Sequence, residues 1–334
     1  MVSKLKLKRK KFPPPIDYKR TKATTENFEN RKLVPKFLNN RDESSKNLCY
    51  VNATLQLIFC NKDLKDYFEH LNLKKNDRKN MPICFEIAEL IPNIGKLVQC
   101  AANIRSMVSI SSKRPDLCDG SQQDVMEFHN ILMTVIRKEM EKGNDNSGLI
   151  IMDKFIGKTK FERKFAGENG KCKYGHIPVP TEDSIGEIIL KLPDTIEELS
   201  LTKMIWENYT ADEEKIIMKC NECCPHKSLC PQTGKCQPVE AYCRKTLITA
   251  PKYLYIHLLR FPNHLSKRMK NKVNPEPYLV LPNGQKFKLI AIVNHTGETI
   301  MSGHYQAVVK HGSDWIMCND DMTQKSMKTT IFFL

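Results

Sequence analysis

Cys49 lies in Asn47-Leu48-Cys49-Tyr50-Val51-Asn52-Ala53-Thr54-Leu55-Gln56, and 255 residues later His304 lies in Ser302-Gly303-His304-Tyr305-Gln306-Ala307. A thiol at the start of one helix and an imidazole at the start of a strand are how a cysteine hydrolase divides its chemistry along a chain. The thiolate attacks a carbonyl and the imidazole moves the proton. Taken singly, a helical cysteine is a small core residue and a strand histidine is structural. Cys60, Cys84, Cys100 and Cys118 have no such partner in the sequence and read as core.

Two local elements must position the pair. Asn47 is a plausible N-cap for a helix in which Val51, Leu55 and Ile58 share one face, which puts Cys49 in the first turn. There the unpaired amides and the positive end of the helix dipole favour a thiolate. At the other end of the chain, Gly303 to Lys310 and Asp314 to Asn319 read as strands around His311-Gly312-Ser313. A two-residue loop at His311-Gly312 places His304 opposite Asn319, whose amide can hold the imidazole in one tautomer; a three-residue loop brings Asp320 there instead.

Other segments carry chemistry of their own. Ser121-Gln122-Gln123-Asp124 opens a helix with Val125, Phe128, Leu132 and Val135 on one face, and Asp124 reads as the acidic member of a capping box. Glu127, three residues on, shares its side of the helix. Six cysteines fall within Cys220-x-x-Cys223-Cys224-x-His226-x-x-x-Cys230-x5-Cys236-x6-Cys243. A Cys-x-x-Cys turn directs two thiolates at one ion and suits half of a tetrahedral zinc site.

The chain has 334 residues, 40% of them apolar, enough to bury a substantial core. Helical patterns dominate about residues 49–142 and strand patterns follow from about 155, an α+β arrangement. Pro282-Asn283-Gly284 turns the chain into a strand expected over Lys286 to Val293. No apolar run approaches the roughly 18 residues needed to span a bilayer, and the basic start lacks the apolar segment of a secretory signal. Thirteen cysteines in such a chain read as free thiols in a reducing, intracellular setting, nuclear or cytoplasmic. The net charge of +15 is uneven: residues 1–36 hold twelve Lys/Arg against three Asp/Glu, leaving +6 for the rest. Residues 1–40 read as a disordered basic tail, suited to solvent, an import receptor, nucleic acid or an anionic surface by the same electrostatics.

These motifs resemble the ubiquitin-specific proteases, papain-like cysteine peptidases with a fingers–palm–thumb architecture. The Cys box of that family is matched by Asn47-x-Cys49-Tyr50-x-Asn52-Ala53-x-Leu55-Gln56, and its His box by Ser302-Gly303-His304-Tyr305-x-Ala307 with Trp315-x-x-x-Asn319-Asp320. Gln122-Gln123-Asp124-x-x-Glu127-Phe128 and Pro251-x-Tyr253-Leu254-x-Ile256-His257-Leu258-Leu259-Arg260-Phe261 match further boxes. The resemblance implies a catalytic domain over 41–334, with a thumb at about 47–142, fingers at about 155–250 and a palm at about 250–334. It also implies that Cys49 is the nucleophile, His304 the base and then acid, Asn319 the third member and Asp320 its support. The substrates would be ubiquitin and ubiquitinated proteins, whose arginine-bearing tail would face Gln123, Asp124 and Glu127.

The family usually carries an oxyanion-donating Asn five residues before the nucleophile, where this chain has Ser44. Ser44, the Asn47 amide or the Cys49 backbone amide would take that role, and loss of one such donor typically costs about 100- to 1,000-fold in rate. The resemblance implies structural zinc in the fingers and no cofactor for catalysis. Its ligands would be Cys172, Cys220 and Cys223, with His176 in the place of a missing thiolate, or Cys230 or Cys236 completing the set. Blocking loops would fall near 264–278 and 295–302, where His295-Thr296-Gly297-Glu298 looks mobile. Two other classes share some of these features: an inactive ubiquitin-binding adaptor, and a basic zinc-finger protein acting on nucleic acid.

Overall fold

Helix α1 (Cys49–Cys60) is buried along its whole length except at Cys60. One apolar face was expected, but Tyr50, Ala53 and Leu57 add further apolar sides, and a helix that is hydrophobic all round belongs inside. Within it the buried Thr54 hydroxyl donates to the Tyr50 carbonyl at 2.8 Å. The computed structural model describes residues 36–37, 47–71, 77–91, 97–98, 101–172, 174–194, 198–210, 213–220, 238–262 and 267–326. Ser44, Cys100, Cys223, Cys224, His226, Cys230, Cys236 and the basic tail before residue 36 lie outside them.

After α1 come α2 (Lys62–His70), α3 (Asp77–Asn80), α4 (Pro82–Leu90), α5 (Ala101–Ser112), α6 (Val125–Lys142) and α7 (Asn146–Asp153). Helix α4 starts at Pro82, where the missing N–H costs nothing. Its N-cap, Met81, offers no side-chain acceptor, so α6 supplies one: the Glu139 carboxylate accepts from the amides of Ile83 at 3.0 Å and Cys84 at 2.9 Å. Val125, Phe128, Leu132 and Val135 face inward from α6 as their spacing predicts. Phe128 meets Tyr50 of α1 edge to face, with ring centroids 5.1 Å apart.

Strands β1 (Lys36–Phe37) and β2 (Leu97–Val98) form a short parallel pair. The sheet half follows: β3 (Gly157–Phe165), β4 (Thr181–Ile185), β5 (Glu187–Lys191), β6 (Glu198–Ser200), helix α8 (Leu201–Thr210), β7 (Glu214–Met218), β8 (Val239–Thr249) and β9 (Tyr255–Leu259). It ends with β10 (Lys272–Asn274), β11 (Tyr278–Val280), β12 (Lys286–Lys288), β13 (Ala291–Thr299), β14 (Ser302–His311), β15 (Asp314–Asn319) and β16 (Met322–Ser326). Two four-stranded antiparallel sheets result, ordered β4-β3-β8-β7 and β13-β14-β15-β16, and β5-β9 and β6-β10 form separate parallel pairs.

Two expectations change here. Helix α8 interrupts the strand-rich half, and its Leu201, Ile205 and Tyr209, four residues apart, are buried on one face. The strand expected over Lys286 to Val293 is two strands: β12 turns back on β11 through Gly284, at φ +86°, and β13 pairs with β14. The first hydrophobic core joins α1, α4, α5 and α6 to Tyr305, Ala307 and Val309 of β14, so α1 is held between helices and sheet. All described residues fall in one compact unit. Among them, no helix is long and apolar enough to cross a membrane.

Candidate active site and metal centre

Cys49 opens α1 and is 1% exposed. The cap differs from the expectation. Leu48 is the N-cap, its carbonyl accepting from the Asn52 amide at 2.9 Å, and it has no side-chain cap. Asn47 stands one residue earlier in the left-handed region at φ +56°, a conformation a short polar side chain tolerates. Its amide donates to the Gly120 carbonyl at 2.8 Å. Asn47 therefore ties the loop before Cys49 to the loop before α6 and leaves the first-turn amides uncapped by its side chain.

His304 sits on β14, which packs directly on α1. Its Nε2 lies 2.6 Å from Asn319 Oδ1, an acceptor, so Nε2 carries a proton and Nδ1 is left for the thiol. The hydrogen bond with Cys49 raises the His304 pKa from 6.5 to about 9; burial opposes this, and Asn319 and Asp320 add to it. The arrangement favours an imidazolium beside the sulfur. Asp320 stands at φ +48° in the tight turn between β15 and β16, with Oδ2 3.8 Å from His304 Nε2 and Oδ1 accepting from Asn52 Nδ2 at 2.7 Å.

The loop and register differ from the sequence expectation while the pair is the same. The two-residue loop is Gly312-Ser313, because His311 pairs with Asp314, and the ladder runs back to Ala307 opposite Cys318. That register, extended, sets His304 opposite Asp321. The ladder stops before it gets there, and His304 reaches Asn319 on the diagonal, a span long side chains cover.

The segment expected to be a mobile blocking loop, 295–302, is largely strand. His295 lies within β13, 8% exposed, with its ring on Tyr305 at 4.5 Å and edge-on to Phe261 at 5.5 Å. Gln122 Nε2 donates to His295 Nε2 at 3.0 Å. Burial, with Arg268 nearby, lowers the His295 pKa to about 4 and keeps the ring neutral. A Cβ at Gly303 would run into His295 Nε2 and the Thr296 carbonyl, so the residue before His304 has to be glycine.

Asp124 is the N-cap of α6 itself, not the third helical residue of a capping box: its Oδ1 accepts from the amides of Met126 at 2.8 Å and Glu127 at 2.9 Å. The Gln123 amide donates to the Asp116 carbonyl at 3.0 Å and Ser121 Oγ at 2.7 Å. Glu127 accepts from Arg114 at 2.9 Å. Asp124 and Glu127 line a cleft of about 510 Å³ whose walls include Tyr255, Phe261, His295 and Tyr305, the residue after His304.

A second cluster lies beyond the sheet. Cys172, His176 and Cys220 bring their ligand atoms within 4.8 Å of one another, with His176 Nδ1 3.6 Å from Cys172 Sγ and 3.8 Å from Cys220 Sγ. Ligands about 2.0–2.3 Å from one tetrahedral zinc stand roughly 3.6 Å apart, so the donor set and spacing fit a structural metal. Phe165 and Ala241 are buried with Cys220 in a small core at this point. Cys243 pairs in the middle of β8 with Arg163 and Glu214 instead of joining the cluster. Of the cysteines read as core, Cys84 is buried, Cys60 half-buried and Cys118 exposed.

With this geometry in view, the family model for ubiquitin carboxyl-terminal hydrolase matches residues 41–331. The chain belongs to that family. It is 24% identical over 345 residues to ubiquitin carboxyl-terminal hydrolase Usp2 of Drosophila melanogaster, covering 86% of this chain and 34% of the relative. It is 24% identical to ubiquitin carboxyl-terminal hydrolase 48 of Danio rerio, covering 83% of this chain and 26% of that one. Ubiquitin carboxyl-terminal hydrolase 17-like protein B of Mus musculus is 26% identical, with 83% and 58% covered. The chain thus spans between about a quarter and three-fifths of these relatives. Among solved structures, the SAGA Ubp8/Sgf11/Sus1/Sgf73 DUB module bound to ubiquitin aldehyde superposes with a TM-score of 0.64 at 17% identity, covering 92% of this chain and 68% of that one. The same module bound to monoubiquitin gives 0.63 over the same coverage. These likenesses establish the papain-like α+β fold.

For a ubiquitin carboxyl-terminal hydrolase, the roles of three residues in this structure are not evident from the sequence. Asn52 holds Asp320 from the turn after Cys49, and its signal was its place in the Cys box. His295 packs on Tyr305, the residue after His304, and Arg114 covers Glu127; neither role had a sequence signal beyond residue type.

Proposed function

We infer that this chain hydrolyses the isopeptide or peptide bond after the C-terminal glycine of ubiquitin, with Cys49 as nucleophile. The observation that carries the reading is that His304, on the strand packed against the helix Cys49 opens, lies 2.6 Å from Asn319 Oδ1 and has its pKa raised first of all by the Cys49 thiol. The Cys49 thiolate attacks the glycine carbonyl, His304 protonates the leaving lysine amine, and water then hydrolyses the thioester as His304 takes up its proton. Asn319 fixes the imidazole tautomer, and Asp320, anchored by Asn52, supports the imidazolium. The Cys49 backbone amide at the start of α1 would donate to the developing oxyanion, with the Asn47 amide and the Ser44 hydroxyl as the other donors the sequence offers. Catalysis draws on no cofactor.

The cleft between α6 and the β13–β14 hairpin would take the extended ubiquitin tail, with Asp124 and Glu127 along it and Gln123 next to them in sequence. Both DUB-module structures with this fold were solved with ubiquitin or ubiquitin aldehyde bound, which supports that partner. Residues 47–142 then act as thumb, 155–250 as fingers and 250–334 as palm. The basic residues 1–36 suit an import receptor, nucleic acid or an anionic surface, and with them a nuclear or cytoplasmic location. Turnover of ubiquitin carrying a C-terminal fluorogenic amide tests the reading: the wild type should release the fluorophore and Cys49→Ala should not. Equal release by both would remove Cys49 from the chemistry.

The Cys172, His176 and Cys220 cluster would hold a structural zinc, with Cys223, Cys230 or Cys236 as a fourth ligand. When bound, the ion would cross-link the loop carrying Cys172 to the end of β7. Elemental analysis of purified protein should find about one zinc per chain, and Cys220→Ser should lose it and lower Tm by about 2–4 °C or more. Equal zinc content in the two proteins would contradict the assignment.

A further inference from the structure

Glu127 is the exposed acid of the cleft, and it is already occupied. Arg114 forks onto the Asp116 carboxylate, with Nε at 2.9 Å and an NH2 at 2.6 Å, and its remaining NH1 donates to Glu127 Oε1 at 2.9 Å. The backbone beneath it is fixed: the Ser109 hydroxyl donates to the Arg114 carbonyl at 2.7 Å, and the Arg114 amide donates to the Ser109 carbonyl at 3.0 Å. Asp116 thus holds the guanidinium plane and aims its free edge at the cleft. All three side chains are at least 36% exposed, so water and salt weaken the pair and it opens easily.

We propose that Arg114 is a resident stand-in for a cationic substrate side chain, setting the charge selectivity of the cleft by occupying Glu127 until an incoming basic residue displaces it. This rests on the hydrolase reading above and names a specificity-determining residue for it. A guanidinium or ammonium on the tail reaches Glu127 only by replacing Arg114, which keeps its fork on Asp116. One charge-assisted bond is exchanged for another, and the net gain in affinity is small. When a neutral tail enters, Arg114 stays in place and Glu127 is not left unpaired. Arg114 therefore narrows the difference between cationic and neutral tails, and removing it widens that difference.

The test compares two probes with C-terminal fluorogenic amides: ubiquitin, and ubiquitin with its tail arginines changed to glutamine. R114Q should lower KM for the first about two- to five-fold, leave kcat within about two-fold, and leave KM for the second unchanged. In an E127Q background, R114Q should have no effect on either probe. An unmoved KM for the arginine probe, an equal shift for both probes, or the same shift in the E127Q background would each overturn the proposal. If R114Q lowers Tm, R114K takes its place: it keeps the charge, loses the fork, and should give a smaller fall in KM on the arginine probe only; no fall there overturns the idea as well. Absence of turnover in the wild type would instead remove the hydrolase reading itself.

Discussion

Replacing His304 with alanine should lower kcat/KM for a ubiquitin amide by about 100- to 10,000-fold, the range of a positioned general acid–base. The variant loses both the partner of the Cys49 thiol and the group that protonates the leaving amine, so the deficit should fall mainly on kcat. Asn319→Ala should cost less, because it frees the tautomer without removing the imidazole. The wild-type pH profile carries the sign of the shift. His304 is raised from 6.5 to about 9 by its hydrogen bond with Cys49, so the imidazolium survives well above neutrality and activity should fall as pH climbs through about 9. That limb belongs to the thiol–imidazole pair jointly. The same shift makes the pair's contribution to folding complete below pH 6.5 and lost as pH rises through about 9. A kcat/KM flat across pH 8–10, or a His304→Ala variant within ten-fold of wild type, would contradict this role.

Phe128→Ala should destabilise the fold by about 3–5 kcal/mol, the range for removing a large aromatic from a packed core. Phe128 is fully buried and meets Tyr50 edge to face at 5.1 Å, so it joins α6 to the helix that begins with Cys49. The substitution removes its buried ring and the aromatic pair together. Denaturant melts of wild type and variant measure this directly. A loss under 1 kcal/mol would mean that α1 is held by its other neighbours, β14 above all. Activity at low temperature should fall less steeply than stability, since Phe128 acts through the core and Tyr50.

Much of the fold was legible because local patterns matched their surroundings. The 3.6-residue spacing of Val125, Phe128, Leu132 and Val135 had one physical solution, and it is the face α6 buries. Helix α1 was legible as a helix but not as one buried on every side, since that depends on α6 and β14 both packing against it. The same spacing present in Leu201, Ile205 and Tyr209 was lost among strand-like neighbours.

In the candidate site, residue types and spacing pointed to His304 with Asn319 or Asp320 beside it, the family resemblance favoured Asn319, and the structure brings His304 to 2.6 Å from Asn319. The register proposed to join them was wrong by two places, because a ladder that ends at Ala307 and Cys318 no longer fixes what lies beyond it. Asn47 read as a cap because Asn is a good cap; the left-handed φ and the Gly120 carbonyl that redirect it are tertiary facts. His295 read as loop because Thr296-Gly297-Glu298 looks like one. Pairing with β14 and the Gln122 contact put it inside. Arg114, in the loop after α5, and Glu127, in α6, are thirteen residues apart, and no one-dimensional pattern connects them.

The central claim is that Cys49 is activated by His304, whose neighbour Tyr305 lines the cleft proposed for a ubiquitin tail. Its most direct measurement is the intact mass of the purified chain after incubation with ubiquitin bearing a C-terminal thiol-reactive group, followed by peptide mapping of the product. The account predicts one ubiquitin-sized addition, mapped to Cys49, absent from Cys49→Ala and much slower in His304→Ala. An adduct on another cysteine, or a wild type that binds ubiquitin and forms none, would contradict it.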